Sequence, residues 1–72
     1  MTVAAAPTKL ERFLRQHRIS PAQLARLTGY AQPHLADIRF ARVKPWRRTK
    51  LSIAIACGVL ALKEVHVTEV FD

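Results

Sequence analysis

The side chains of this chain that could do covalent or metal chemistry are few and scattered. There is one cysteine, Cys57, and three histidines, His17, His34 and His66, at spacings that match no metal-ligand pattern. No nucleophile, base and orienting acid fall into a catalytic grouping. The expectation is a protein that is not an enzyme, with no catalytic residue, no bound metal and no cofactor. The chemistry on offer is positive charge. Between Arg39 and Lys50 stand Arg39, Arg42, Lys44, Arg47, Arg48 and Lys50, with no acidic residue among them. From Leu51 onward only Lys63 opposes Glu64, Glu69 and Asp72, so the charge is polarised along the chain. Six cations in so short a span suit a clamp on phosphates, where contacts set position without reading sequence. The bland alternative is a solvated positive face.

The whole chain bounds that reading. Seventy-two residues with a net charge of +7 make one small domain with an anionic partner, nucleic acid or a membrane surface. A domain of this size buries only about 60% of the surface its unfolded chain exposes, leaving little room for an enclosed cavity, so no small-molecule ligand is expected. The opening "MTVAAAP" lacks the basic start and apolar run of a signal peptide. Leu51 to Leu62, the longest uncharged apolar stretch, is shorter than the roughly 20 residues a bilayer span needs. A cytoplasmic protein that does not enter the membrane is expected.

Positioning the cluster falls to helices. Residues 1–7 read as a flexible arm and residues 8–72 as the domain. Thr8 opens a first helix with Glu11 as its capping-box partner; Leu10, Phe13 and Leu14 face inward, and Glu11, Arg12 and Arg15 outward. It should end near His17 and Arg18. Ser20 opens a second with a capping box to Gln23, Pro21 at the first helical position and an Ile19–Leu24 staple. Leu24 and Leu27 should face the core, and Gly29 should end the helix in a left-handed conformation. After Tyr30 and Ala31 a third helix begins at Gln32 and Pro33. Leu35 and Ile38 are its inward pair, while Gln32, Pro33, Ala36, Asp37 and Phe40 point away from them.

Pro45 blocks continuation, and a fourth helix is expected from about Arg47 to Ala61. Its stripe of Leu51, Ile55, Val59 and Leu62 is assigned to the core, with Trp46 as an anchor between helices three and four and Cys57 as a small core residue. His66 to Glu69 resembles a further cap before a last turn through Val70 and Phe71. No segment sustains strand alternation. The fold class is all-α, a compact bundle of about five short helices.

Two helices joined by a tight turn brace one another and let the second project from the body. Ala25 permits close approach, Gly29 makes the turn, and Leu24, Tyr30, Leu35 and Ile38 lock the pair. That pattern is a helix-turn-helix, with Pro21–Thr28 as the bracing helix and Gln32–Phe40 as the recognition helix. "S-x-x-x-L-A-x-x-x-G" followed by Leu35, Ile38 and a distal Pro45 resembles the lambda-repressor-like, or XRE, family of helix-turn-helix regulators. The resemblance covers Leu10 to Pro45 and extends more loosely to "VTEVF".

The resemblance implies a five-helix, sequence-specific double-stranded DNA-binding transcriptional regulator of prokaryotic or phage type, acting as a homodimer on a near-palindromic operator. It makes Gln32 the first base-reading side chain, suited to a bidentate pair with adenine. Pro33, His34 and Asp37 occupy other groove-facing positions. Phe40 and Lys44 match positions that approach phosphate, and Ser20 joins them with Arg39, Arg42, Arg47, Arg48 and Lys50. Three departures stand out. Pro21 replaces a polar residue that often contacts phosphate, Arg39 stands where Glu is common, and Ala41 where Gly is usual. Dimer contact is expected from Val67, Val70 and Phe71, setting two recognition helices about 34 Å apart. The rivals are a protein-interaction, antitoxin-like subunit and a basic amphipathic membrane-surface protein.

Overall fold

A computed structural model of the chain describes residues 8–71; the expected arm, residues 1–7, and Asp72 lie outside them. Five helices follow in order: α1 Lys9–Gln16, α2 Pro21–Thr28, α3 Gln32–Arg39, α4 Arg47–Ala61 and α5 Val67–Val70. Among the described residues there is no strand, so the chain is an all-α bundle. No helix among them is long and apolar enough to cross a membrane.

The helix starts are set by local chemistry. The Thr8 hydroxyl accepts from the Glu11 backbone N–H and caps α1. Glu11 does not complete a capping box there; its carboxylate turns to two arginines instead. At α2 the box is complete: Ser20 Oγ accepts from Gln23 N at 3.1 Å, and Gln23 Oε1 accepts from Ser20 N at 2.8 Å. At α5 the Glu69 carboxylate accepts from the His66 N–H at 2.7 Å, which, with Lys63 nearby, holds this acid below its usual range.

The ends of α1 to α4 share one device, only one instance of which uses glycine. Gly29 takes φ +80° after α2, and its N–H donates to the Ala25 carbonyl. Arg18, Ala41 and Leu62 take φ of +56°, +59° and +57° after α1, α3 and α4. Each of these three carries the paired backbone bonds of a Schellman end, as where Ala41 N donates to Ile38 O and Arg42 N to Asp37 O. Ala41, where the resemblance made glycine the usual residue, is thus a left-handed residue.

α2 packs against α3 and α4, and α5 against α1 and α4. The core gathers Leu10, Phe13, Leu14, Ile19, Leu24, Leu35, Ile38, Ile53, Ala54, Ala56, Cys57, Val70 and Phe71. Three inward assignments from the sequence are overturned. Leu27 is 47% exposed, because α2 turns Leu24, not the following turn, fully into the core. Trp46 is 84% exposed as the N-cap of α4 and anchors nothing. The Leu51, Ile55, Val59 and Leu62 stripe faces outward. The buried face of α4 is Ile53, Ala54, Ala56 and Cys57; it packs against α2 and α5, and three of its four side chains are small. Gly58 belongs to the same tight region: a Cβ there would stand 2.9 Å from the Lys63 carbonyl oxygen.

Candidate nucleic-acid interface

α3 is anchored from one side. Leu35 and Ile38 are buried, and α2, closed off by Gly29, packs against α3. Tyr30, in the turn between the two helices, packs partly against the core and meets the His34 ring edge-on at 5.8 Å. The first turn of α3 consequently shows Gln32, Pro33 and His34 to solvent as one uncharged, mixed surface. Pro33 removes an N–H that had no helical acceptor. Gln32 presents an amide able to donate and accept at once. Ala31, the N-cap of α3, makes no side-chain cap hydrogen bond.

Asp37 is differently engaged. Its Oδ1 accepts from Arg42 Nε at 2.8 Å, and its backbone oxygen accepts from Arg42 N. The carboxylate is therefore half neutralised by the loop that follows its own helix. A base contact by Asp37 requires exchanging this exposed ion pair, worth little in water, for another partner. Phe40, half exposed, caps α3 with the Arg39 guanidinium carbon 4.9 Å and the Arg42 carbon 5.4 Å from its ring centre.

The basic cluster divides in two. Arg42, Lys44, Arg47 and Arg48 are exposed, the first two in the α3–α4 loop and the others at the start of α4. Lys50 is partly buried, its ammonium 5.9 Å from the Phe71 ring centre. Arg39 is withdrawn altogether. Its Nε donates to Glu11 Oε1 at 2.8 Å and its Nη2 to Glu11 Oε2 at 3.2 Å, with the side chain 15% exposed. The expected phosphate contact by Arg39 is corrected on this ground, and so is the outward placement of Glu11, which is buried. Ser20, exposed, keeps its hydroxyl at the cap of α2.

The expected dimer contacts do not hold either. Val70 and Phe71 are buried in the chain's own core, 1% and 9% exposed, and Val67 packs partly against that core. α5 closes the bundle over α1 and α4, so this apolar end is consumed internally. Among the described residues no three His, Cys, Asp or Glu side chains gather into a possible metal site. Cys57 is fully buried, and loss of solvation pushes its thiol pKa up to about 12, far from a reactive thiolate. Comparison with protein-family models, curated proteins and solved structures returned no match.

Proposed function

We propose that this chain is a sequence-specific double-stranded DNA-binding regulator of the lambda-repressor-like helix-turn-helix type, with α3 as the recognition helix and transcriptional control in the cytoplasm as its role. One observation carries the reading: a solvent-facing turn of Gln32, Pro33 and His34 on a braced helix, with four exposed cations, Arg42, Lys44, Arg47 and Arg48, just beyond that helix. An uncharged reading face with cations at its flank matches the two tasks of such proteins, base discrimination and phosphate positioning. Gln32 reads a base, with His34 and Pro33 supplying adjacent contact, and Asp37 contributes only where Arg42 is drawn off to a phosphate. Arg42, Lys44, Arg47 and Arg48 hold phosphates; Arg39 has a structural role.

A protein-interaction subunit is the second reading, favoured by the exposed apolar side chains along α4. Binding of the full chain to a duplex selected from random sequence, across a salt series, separates the two. Gln32→Ala should cost about 1–3 kcal/mol on the selected site and little on scrambled DNA. Arg47→Ala should weaken both duplexes alike and reduce the slope of log K against log salt by about 0.9. Equal losses on both duplexes for both variants would remove the base-reading role of Gln32. Failure to select any preferred site would favour the protein-interaction reading.

A further inference from the structure

Trp46, the one tryptophan of the chain, stands in water at the start of α4. It is 84% exposed and makes no side-chain cap hydrogen bond. Among the described residues no ring or cation is stacked on its indole. Tryptophan ordinarily hides most of its large surface, so an indole held this far out is available to a partner.

The surroundings of the ring state that partner's charge. Lys44, Arg47 and Arg48 are exposed on either side of it in sequence, and among the described residues none of the three is paired with an acid. No acidic residue stands between Asp37 and Glu64. The groove beside the indole, about 440 Å³, is lined by Trp46, Arg47, Arg48 and Thr49. That lining is one ring, two guanidinium groups and one hydroxyl, with no Leu, Ile or Val in its wall. We propose that Trp46 is a stacking platform for an unpaired base of single-stranded DNA, with Lys44, Arg47 and Arg48 holding the phosphates on either side of that base.

Stacking needs an open base face. In a duplex the faces of each base are covered by its neighbours, and an indole at the flank would meet sugar and phosphate. In a single strand the faces are free, and ring-on-ring contact tolerates any base. Phe40 offers a second, lesser ring. It is 50% exposed and six residues before Trp46, hence within roughly 20 Å of it along the chain. The guanidinium carbons of Arg39 and Arg42 already lie against its ring, so Trp46 carries the larger share.

Other partners match less of the surface. A bilayer would take the indole together with apolar neighbours, whereas the walls of this groove are charged or polar. An acidic peptide would satisfy the cations and leave the ring uncovered. The choice of DNA over RNA rests on the proposed reading of duplex DNA by α3; the stacking itself does not.

The test uses Trp46 as its own reporter, because no other tryptophan contributes to the emission. The full chain is titrated with an oligodeoxyuridine of about ten nucleotides, an abasic strand of the same length, and oligouridine. Saturation with oligodeoxyuridine should quench the Trp46 emission, and saturation with the abasic strand should leave it nearly unchanged. Trp46→Ala should weaken oligodeoxyuridine binding about 5- to 150-fold and abasic-strand binding less than about twofold. Trp46→Phe should restore most of that loss. Circular dichroism should show the same helix content in both variants, since the position is exposed. Oligodeoxyuridine binding no tighter than abasic-strand binding overturns the proposal, as does binding that leaves the emission unchanged. Tighter binding of oligouridine assigns the platform to RNA and overturns it. Binding of polyglutamate or of anionic phospholipid vesicles that matches oligodeoxyuridine, with the same dependence on Trp46, assigns the patch to an acidic protein or a membrane and overturns it. Selection of a duplex site by a chain whose emission oligodeoxyuridine leaves unchanged removes this proposal and keeps base reading by α3. Quenching in a chain that selects no duplex does the reverse.

Discussion

Glu11, in the first turn of α1, holds Arg39, the last residue of α3, through two hydrogen bonds of 2.8 and 3.2 Å. The fork of the guanidinium meets both carboxylate oxygens, and the carboxylate is 7% exposed. Thr8 reinforces the link, its hydroxyl donating to the Arg39 carbonyl at 2.6 Å. Arg15 adds a longer contact, 3.3 Å, from the solvent side. Two helices are thus tied through residues 28 apart in sequence, at a point where α3 has just delivered its exposed face. The contact orients the candidate recognition helix without touching anything it would read.

Removing one partner should therefore destabilise the fold without altering the salt dependence of the proposed DNA binding. Glu11→Gln leaves a mostly buried guanidinium with weakened pairing, and a loss of about 2–3 kcal/mol is expected, on the order of 10–20 °C in melting temperature. Glu11→Leu with Arg39→Met should recover most of that loss, because an apolar pair carries no unpaired charge. The pH dependence has a defined sign. The hydrogen bond from Arg39 lowers the Glu11 pKa below its ordinary 4.5, against the opposing effect of burial. A lowered folded value means the stabilisation is complete above about pH 4.5 and is lost as the pH falls through the folded value. Thermal melts from neutral to acid should show wild-type stability falling in that range. The Glu11→Gln profile should be flatter, with a residual slope from Glu69. A wild type and variant with parallel acid profiles would contradict this assignment.

The left-handed ends of α2 and α3 predict opposite effects of exchanging glycine and alanine. Gly29→Ala meets nothing within 4 Å, so its cost is the backbone strain alone, about 1 kcal/mol. Ala41→Gly relieves the same strain at φ +59° but returns entropy to the unfolded chain, leaving a net gain of up to about 1 kcal/mol. Chemical denaturation of the two variants checks the pair. Destabilisation by Ala41→Gly would place that residue outside the left-handed region.

Thiol reactivity reports which face of α4 is inside. Cys57, fully buried with its pKa raised to about 12, should react with a disulfide reagent at neutral pH only as fast as the domain opens. A cysteine introduced at Ile55, in a chain with Cys57→Ala and at low concentration, should react like an exposed thiol. If native Cys57 reacts as rapidly as a free cysteine, the rotation of α4 described above is wrong.

How much was legible beforehand follows the range of each signal. The bounds of α2 agree because everything that sets them lies within a few residues: Ser20 and Gln23 at the cap, Pro21 inside it and Gly29 at the end. The starts of α3 and α4 follow for similar reasons, from Pro33 and Pro45, whereas Gly58 left the end of α4 open between itself and Ala61, where the helix stops. The other left-handed ends were not legible, because Arg18, Ala41 and Leu62 carry no local mark of a conformation imposed by helix termination.

The order and type of the helices, the basic cluster and the uncharged start of α3 were determined by residues acting on their near neighbours. The facing of side chains was decided by packing. α4 is apolar around most of its circumference between Leu51 and Leu62, so its periodicity cannot choose a side; the packing of α2 and α5 against Ile53, Ala54, Ala56 and Cys57 chose it, and turned Leu51, Ile55 and Val59 out. Val70 and Phe71 became core because α5 folds back onto α1 and α4. Arg39 left the cationic surface because a carboxylate 28 positions earlier in the chain came within 2.8 Å of it. Helix bounds depend on bonds between residues up to five apart, whereas burial and ion pairing depend on which distant segment arrives, and only the tertiary structure decides that.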